Sequence, residues 1–165
     1  MKLIGVLHSS NLLDIADRSI YETCNGVPKS LLLELPINYR DFYHLFKPNF
    51  FSQLAERYSR RGTRIIDGDI RQRFVRKGPF VLTNYHGDLK TLFDSFLFHS
   101  RDRGFVESIK EQNPEAVAIG RGHADYVKRI FPDAYYAAFH RPQPVDLIER
   151  LLLKPPYEAD RIILV

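Results

Sequence analysis

Seven short apolar runs punctuate the chain: KLIGVLH (2–8), SLLLEL (30–35), TRIID (63–67), PFVLTN (79–84), EAVAIG (115–120), AYYAAF (134–139) and RIILV (161–165). Several are apolar throughout, without the alternation of a half-exposed strand. Runs of this kind are strands covered on both faces, as in a parallel sheet between two helical layers. The run at 79–84 is the weakest of the set and reads either as an edge strand or as an irregular segment.

The stretches between the runs carry helical spacing. In NLLDIADRSIYETC (11–24), Leu12, Leu13, Ile15, Ala16, Ile20 and Cys24 line one face, with Ser9, Ser10 or Asn11 placed as N-cap. Residues 39–46 and 50–61 read as helix, divided at Pro48 because proline has no amide hydrogen to donate. Residues 88–113 form the longest helical stretch, with a break expected near Gly104, and 123–131 and 144–153 are two shorter helices. Strand and helix in alternation predict an α/β domain with a mostly parallel sheet sandwiched by helices. The closing RIILV reads as a last strand.

Length and composition refine this picture. At 165 residues the chain is expected to form a single domain over 1–165, within the range of about 100 to 200 residues per domain. A domain of this size removes roughly 70% of its unfolded surface from water, so no metal is needed merely to keep it folded. Cys24 is the only cysteine, which excludes an intrachain disulfide and a multi-cysteine zinc site. It reads as a small hydrophobe at a helix end. No window reaches the roughly 18 apolar residues of a membrane span, and the N-terminus lacks the pattern of a cleaved signal peptide, so a cytoplasmic location without membrane contact is expected. The net charge of +4 is uneven: residues 57–77 hold Arg57, Arg60, Arg61, Arg64, Arg71, Arg73, Arg76 and Lys77 against Asp67 and Asp69. Such a cluster is either a solvated surface or a phosphate or nucleic-acid contact.

The polar residues fall where an α/β sheet places its chemistry, outside the carboxyl ends of the strands. The first run ends in His8, the second in Glu34, the third in Asp67 with Asp69 beyond, and the fifth in Gly120, Arg121, Gly122 and His123. Both His8 and His123 follow a glycine three positions earlier, Gly5 and Gly120. Two imidazoles and a carboxylate suit a divalent metal such as zinc, manganese or iron, with His8, His123 and Asp67 as ligands. An ion with an open position acidifies bound water and polarises a carbonyl. Glu34 is then a ligand or the general base, and Arg121 stabilises an oxyanion or holds a substrate carboxylate. A second polar knot, Tyr85-His86-Gly87-Asp88, reads mainly as a helix cap. The aromatic sets Phe42, Tyr43, Phe46, Phe50, Phe51 and Phe93, Phe96, Phe98 read as core, or as a homo-oligomer interface if they exceed what one core holds.

Gly5-Val6-Leu7-His8, the strand ending Leu33-Glu34-Leu35, and Gly120-Arg121-Gly122-His123 together resemble the TraB/PrgY and TIKI group, related in fold to the EreA/ChaN proteins. RIIDGDIRQRF, around Asp67 and Asp69, resembles the acidic segment after the third strand of that group. The resemblance covers about half of the chain, which is shorter than the group's members and carries no membrane tail. It implies an EreA/ChaN-like fold and a metal-dependent hydrolase of an amide or ester bond in a peptide or small-molecule substrate, with His8, Glu34 and His123 as site residues. It also leaves room for haem binding, as in the ChaN relatives. Two other functions compete with it: a non-catalytic protein of the same fold that docks phosphate or nucleic acid through 57–77, and a carrier of haem or a small molecule.

Overall fold

The computed structural model describes residues 1–36, 49–70, 101–141 and 159–165. Six strands form one parallel sheet: β1 (Lys2–Val6), β2 (Ser30–Pro36), β3 (Arg64–Asp69), β4 (Ala116–Gly120), β5 (Tyr135–His140) and β6 (Arg161–Leu164), in the spatial order β3-β2-β4-β1-β5-β6. Helices α1 (Leu13–Cys24), α2 (Phe50–Arg60) and α4 (Arg121–Ile130) connect them, and helical backbone over 101–112, here α3, precedes β4. The expected run at 79–84, the helices at 39–46 and 144–153, and the Tyr85–Asp88 knot lie outside the described residues.

Uninterrupted apolar runs give strands that feed two cores. Leu31, Leu33 and Leu35 join Ile4, Val6, Ile20, Leu54 and Tyr58 on the face covered by α1 and α2. Leu32 joins Leu3, Val117, Ile119, Phe105, Ile109 and Val127 on the face covered by α3 and α4. Each fully buried aliphatic side chain is worth about 1.5–3 kcal/mol relative to exposure, which is why these runs cannot exchange with the polar segments between them. Phe50 and Phe51 are both in the first core, so this part of the aromatic set packs inward.

Three boundaries differ from the pattern. The anticipated break at Gly104 is absent: the glycine sits buried within α3, where flanking contacts through Phe105 and Ile109 outweigh the roughly 1 kcal/mol helix penalty of a glycine. None of Ser9, Ser10 and Asn11 caps α1; Ser10–Leu12 form a 3₁₀ turn, and Ser9 donates instead to the Asn11 side chain. The fourth helix begins at Arg121 immediately after β4, so His123 lies in a helical first turn. Asn49 and Ser52, by contrast, build a reciprocal cap at the start of α2, with Ser52 N donating to Asn49 Oδ1 (2.9 Å) and Asn49 N to Ser52 Oγ (2.7 Å).

Helices α1 and α2 are clamped by ion pairs. Arg61 donates to both oxygens of Asp17, and Arg57 reaches Asp14 (2.7 Å) and Asp17 (3.4 Å). Burial alone raises the Asp17 pKa, but Arg61, the Tyr58 hydroxyl and Arg57 outweigh it, so the carboxyl sits below the usual aspartate range. Its stabilising contribution is therefore complete above the ordinary aspartate value and is lost as pH falls through the depressed folded value. The urea midpoint of the parent is expected to exceed that of Asp17→Asn near neutral pH, and this gap should close as pH falls through the depressed Asp17 value. A gap that persists unchanged there contradicts the clamp.

Cys24 packs against the first core, where burial pushes its thiol up to about 11, consistent with its reading as a hydrophobe. Among the described residues, no helix is long and apolar enough to cross a membrane.

Candidate functional site

Chain order and sheet order diverge around β1 and β4. The chain leaves β1 for β2 and β3 on one side, returns to β4, and then passes over β1 to β5 and β6 on the other side. In open α/β sheets, ligands bind at the carboxyl ends of the strands beside such a reversal. The ends of β1, β2 and β4 meet there, and they bring His8, Glu34, Gly120 and His123 together.

Glu34 alternates with Leu33 and Leu35, so its side chain leaves on the α3 and α4 face of the sheet. Its side chain is only 9% exposed. One oxygen, Oε2, accepts the Gly120 N–H at 2.7 Å, and the other accepts the Arg101 guanidinium. Arg101 Nε also donates to Asp69 Oδ2 at 2.7 Å. One cation thus neutralises two buried carboxylates. Burial opposes the charge on Arg101, but Glu34 and Asp69 prevail and hold its pKa above the usual arginine value.

Glycine at 120 is a steric requirement. A methyl group there would stand 2.9 Å from Glu34 Oε2 and 3.6 Å from His8 Nε2, so the bare backbone is the floor on which carboxylate and imidazole lie. Gly5 serves another end: its missing methyl makes room for the Tyr136 hydroxyl, which would be 2.7 Å away, and for Ala124 of α4. The repeated Gly-x-x-His spacing therefore hides two unlike reasons for glycine. His8 itself is exposed beyond β1, with its ring 5.7 Å from that of Phe51.

His123 is 4% exposed, in the first turn of α4. Its Nδ1 bonds Asp102 Oδ1 at 2.7 Å, and its Nε2 lies 3.8 Å from Glu34 Oε1, longer than a hydrogen bond. The Phe105 ring packs 5.0 Å from the imidazole. A carboxylate only accepts, so Asp102 selects the tautomer with the proton on Nδ1 and the lone pair on Nε2. That lone pair faces the switch-point end of the sheet.

Arg121 points elsewhere. Residues two apart on a helix are about 200° apart around its axis, so Arg121 and His123 leave opposite flanks of α4. The Arg121 Nε is 4.0 Å from Asp125 Oδ2, while Asp125 Oδ1 accepts the Tyr136 hydroxyl of β5. Asp67 is apart as well: it alternates with Ile66 of the second core and pairs in register with Leu33, which puts it on the sheet face opposite Glu34. It is Asp69, at the end of β3, that Arg101 ties to Glu34.

The donor set decides whether a divalent ion fits. Both Glu34 oxygens are already engaged, one by a guanidinium that would repel a metal, and Asp67 faces away. Among the described residues, no three His, Cys, Asp or Glu side chains are grouped to hold a metal ion. Among the described residues, then, His8, His123 and Asp67 are not drawn together as a ligand set.

Arg101 and Asp102 had no part in the expected site, although the sequence held one signal. Asp102, Phe105 and Ile109 stand at the i, i+3, i+7 positions of one helical face, and two of the three are core hydrophobes. A carboxylate on such a face needs a buried partner. His123 is that partner.

In the basic segment, Arg57 and Arg61 are held by Asp14 and Asp17, Arg60 by Glu56, and Arg64 reaches Gln112. Arg71, Arg73, Arg76 and Lys77 lie outside the described residues. Two surface hollows stand away from the switch point: one of about 460 Å³ beside the Asp17 clamp, and one of about 340 Å³ at the amino ends of the strands, near Met1 and Ile109.

Comparison with protein-family models, with curated proteins and with solved structures finds no match to this chain.

Proposed function

We propose that the chain is a hydrolase of an amide or ester bond in which His123 is the general base. The observation that carries this reading is the buried Asp102–His123 pair, whose geometry puts the proton on Nδ1 and the lone pair on Nε2 beside Glu34, at the point where the sheet reverses its winding. Water attacks the carbonyl carbon as one of its protons passes to His123 Nε2, and Asp102 stabilises the imidazolium formed. Collapse of the tetrahedral intermediate breaks the carbon–nitrogen or carbon–oxygen bond, and the same proton leaves on the amine or alcohol. His8 stands against Gly120, close to Glu34. The resemblance of both Gly-x-x-His stretches to the TraB/PrgY and TIKI group supports the same bond class. The rival role, docking of phosphate or nucleic acid through 57–77, draws no support from the described half of that segment, whose arginines are paired within the fold.

A panel of activated esters and acyl amides, offered to the full chain, tests the reading. Turnover is expected in the parent, absent in His123→Ala, and retained after dialysis against EDTA. No turnover across the panel, or equal turnover in His123→Ala, overturns it; loss in EDTA restored by zinc or manganese would return the reaction to a metal.

A further inference from the structure

Among the described residues, two polar groups on the β5 side of α4 lack the hydrogen-bond partners that their burial demands. The Arg121 side chain is 11% exposed, yet among the described residues its guanidinium makes no hydrogen bond, and its ionic neighbour there, Asp125, stands 4.0 Å away and already accepts from Tyr136. On β5, His140 Nδ1 is buried with no hydrogen-bond partner. Alternation along β5 puts His140 on the face of Tyr136 and Ala138, which is the face that α4 covers. The register of β1 with β5 sets Gly5 beside Ala138, so His140 comes level with Leu7, just short of His8. Both groups therefore lie toward the carboxyl ends of the central strands, on the flank of α4 opposite His123. No side chain caps α4, and its first turn holds no acidic residue. A largely buried guanidinium without an acceptor costs free energy comparable to a lost charged hydrogen bond, and such groups in folded proteins meet a partner.

We propose that Arg121, with His140 and the uncapped first turn of α4, binds an anionic oxygen group, a carboxylate or a phosphate, borne by the substrate. This settles between the two roles open to Arg121: on the far flank of α4 from His123 it cannot meet the oxyanion formed beside Nε2, and it reads a permanent charge on another part of the molecule. The anion site stands on geometry alone; that the anion belongs to a hydrolysed amide or ester rests on the hydrolase reading. A guanidinium offers a carboxylate or phosphate a planar pair of donors, and the helix N-terminus adds positive potential.

The test is titration of the ¹⁵N-labelled full chain with sodium acetate and with inorganic phosphate at constant ionic strength, followed by amide shifts. Saturable shifts confined to Gly120–His123 and the end of β5 are expected, weakened about ten-fold or more in Arg121→Gln and partly restored in Arg121→Lys. Acetate binding more tightly than phosphate assigns a carboxylate, and the reverse order assigns a phosphate. Shifts centred on Arg57–Arg64, or equal binding by Arg121→Gln, overturn the proposal. Anion binding without turnover in the parent leaves this site standing and removes the hydrolase reading, whereas turnover without anion binding does the opposite.

Discussion

Replacing Arg101 by methionine is expected to lower the unfolding free energy by about 3–5 kcal/mol, the cost of breaking a buried ion pair from one side. The variant keeps most of the apolar stem and removes the cation shared by Glu34 and Asp69, whose side chains are 9% and 0% exposed. Two buried carboxylates would then lose the cation they share. Urea unfolding followed by circular dichroism measures the loss. Adding Glu34→Gln and Asp69→Asn to Arg101→Met should recover part of it, because amides need no counter-charge. A loss under about 1 kcal/mol, the size of a surface pair, would show that the cluster is solvated and that Glu34 is not held as described.

The second large effect concerns the reaction. Asp102→Asn keeps shape and burial, but the asparagine amide can donate to His123 Nδ1 and so favours the tautomer with the proton on Nε2. The general base is then lost without a hole in the core. Turnover is expected to fall by about 10²–10⁴-fold in kcat, the usual contribution of a positioned base, with KM little changed. His123→Ala should fall as far. Unchanged turnover in Asp102→Asn would leave His123 without the role given to it.

The apolar runs made most of the fold legible. Leu31–Leu33 and Ala116–Ile119 lack alternation because both faces are covered, and the six described strands coincide with six of the predicted runs. The winding of the sheet was not legible, since nothing local says that β4 inserts between β2 and β1. Glu34 and His123 were legible as site candidates because a carboxylate inside a leucine run and an imidazole closing an apolar run each need a reason. Their partners were harder to find: Arg101 and Asp102 stand one residue apart on a helix far along the chain, and adjacent helical positions about 100° apart serve two different neighbours. Asp67 and Asp69 looked equivalent in RIIDGD, yet it is Asp69, at the carboxyl end of β3 where the register with β2 shifts between Leu33 and Pro36, that accepts from Arg101. The two glycines looked like a single motif, and only the packing distinguishes room for Glu34 and His8 from room for Tyr136.

The tautomer of His123 tests the central claim most directly. Long-range ¹⁵N–¹H correlation of the imidazole near neutral pH is predicted to show Nδ1 protonated and Nε2 bearing the lone pair, with the pattern reversed in Asp102→Asn. An Nε2-protonated ring in the parent would contradict the account, because no base would then face the reacting bond.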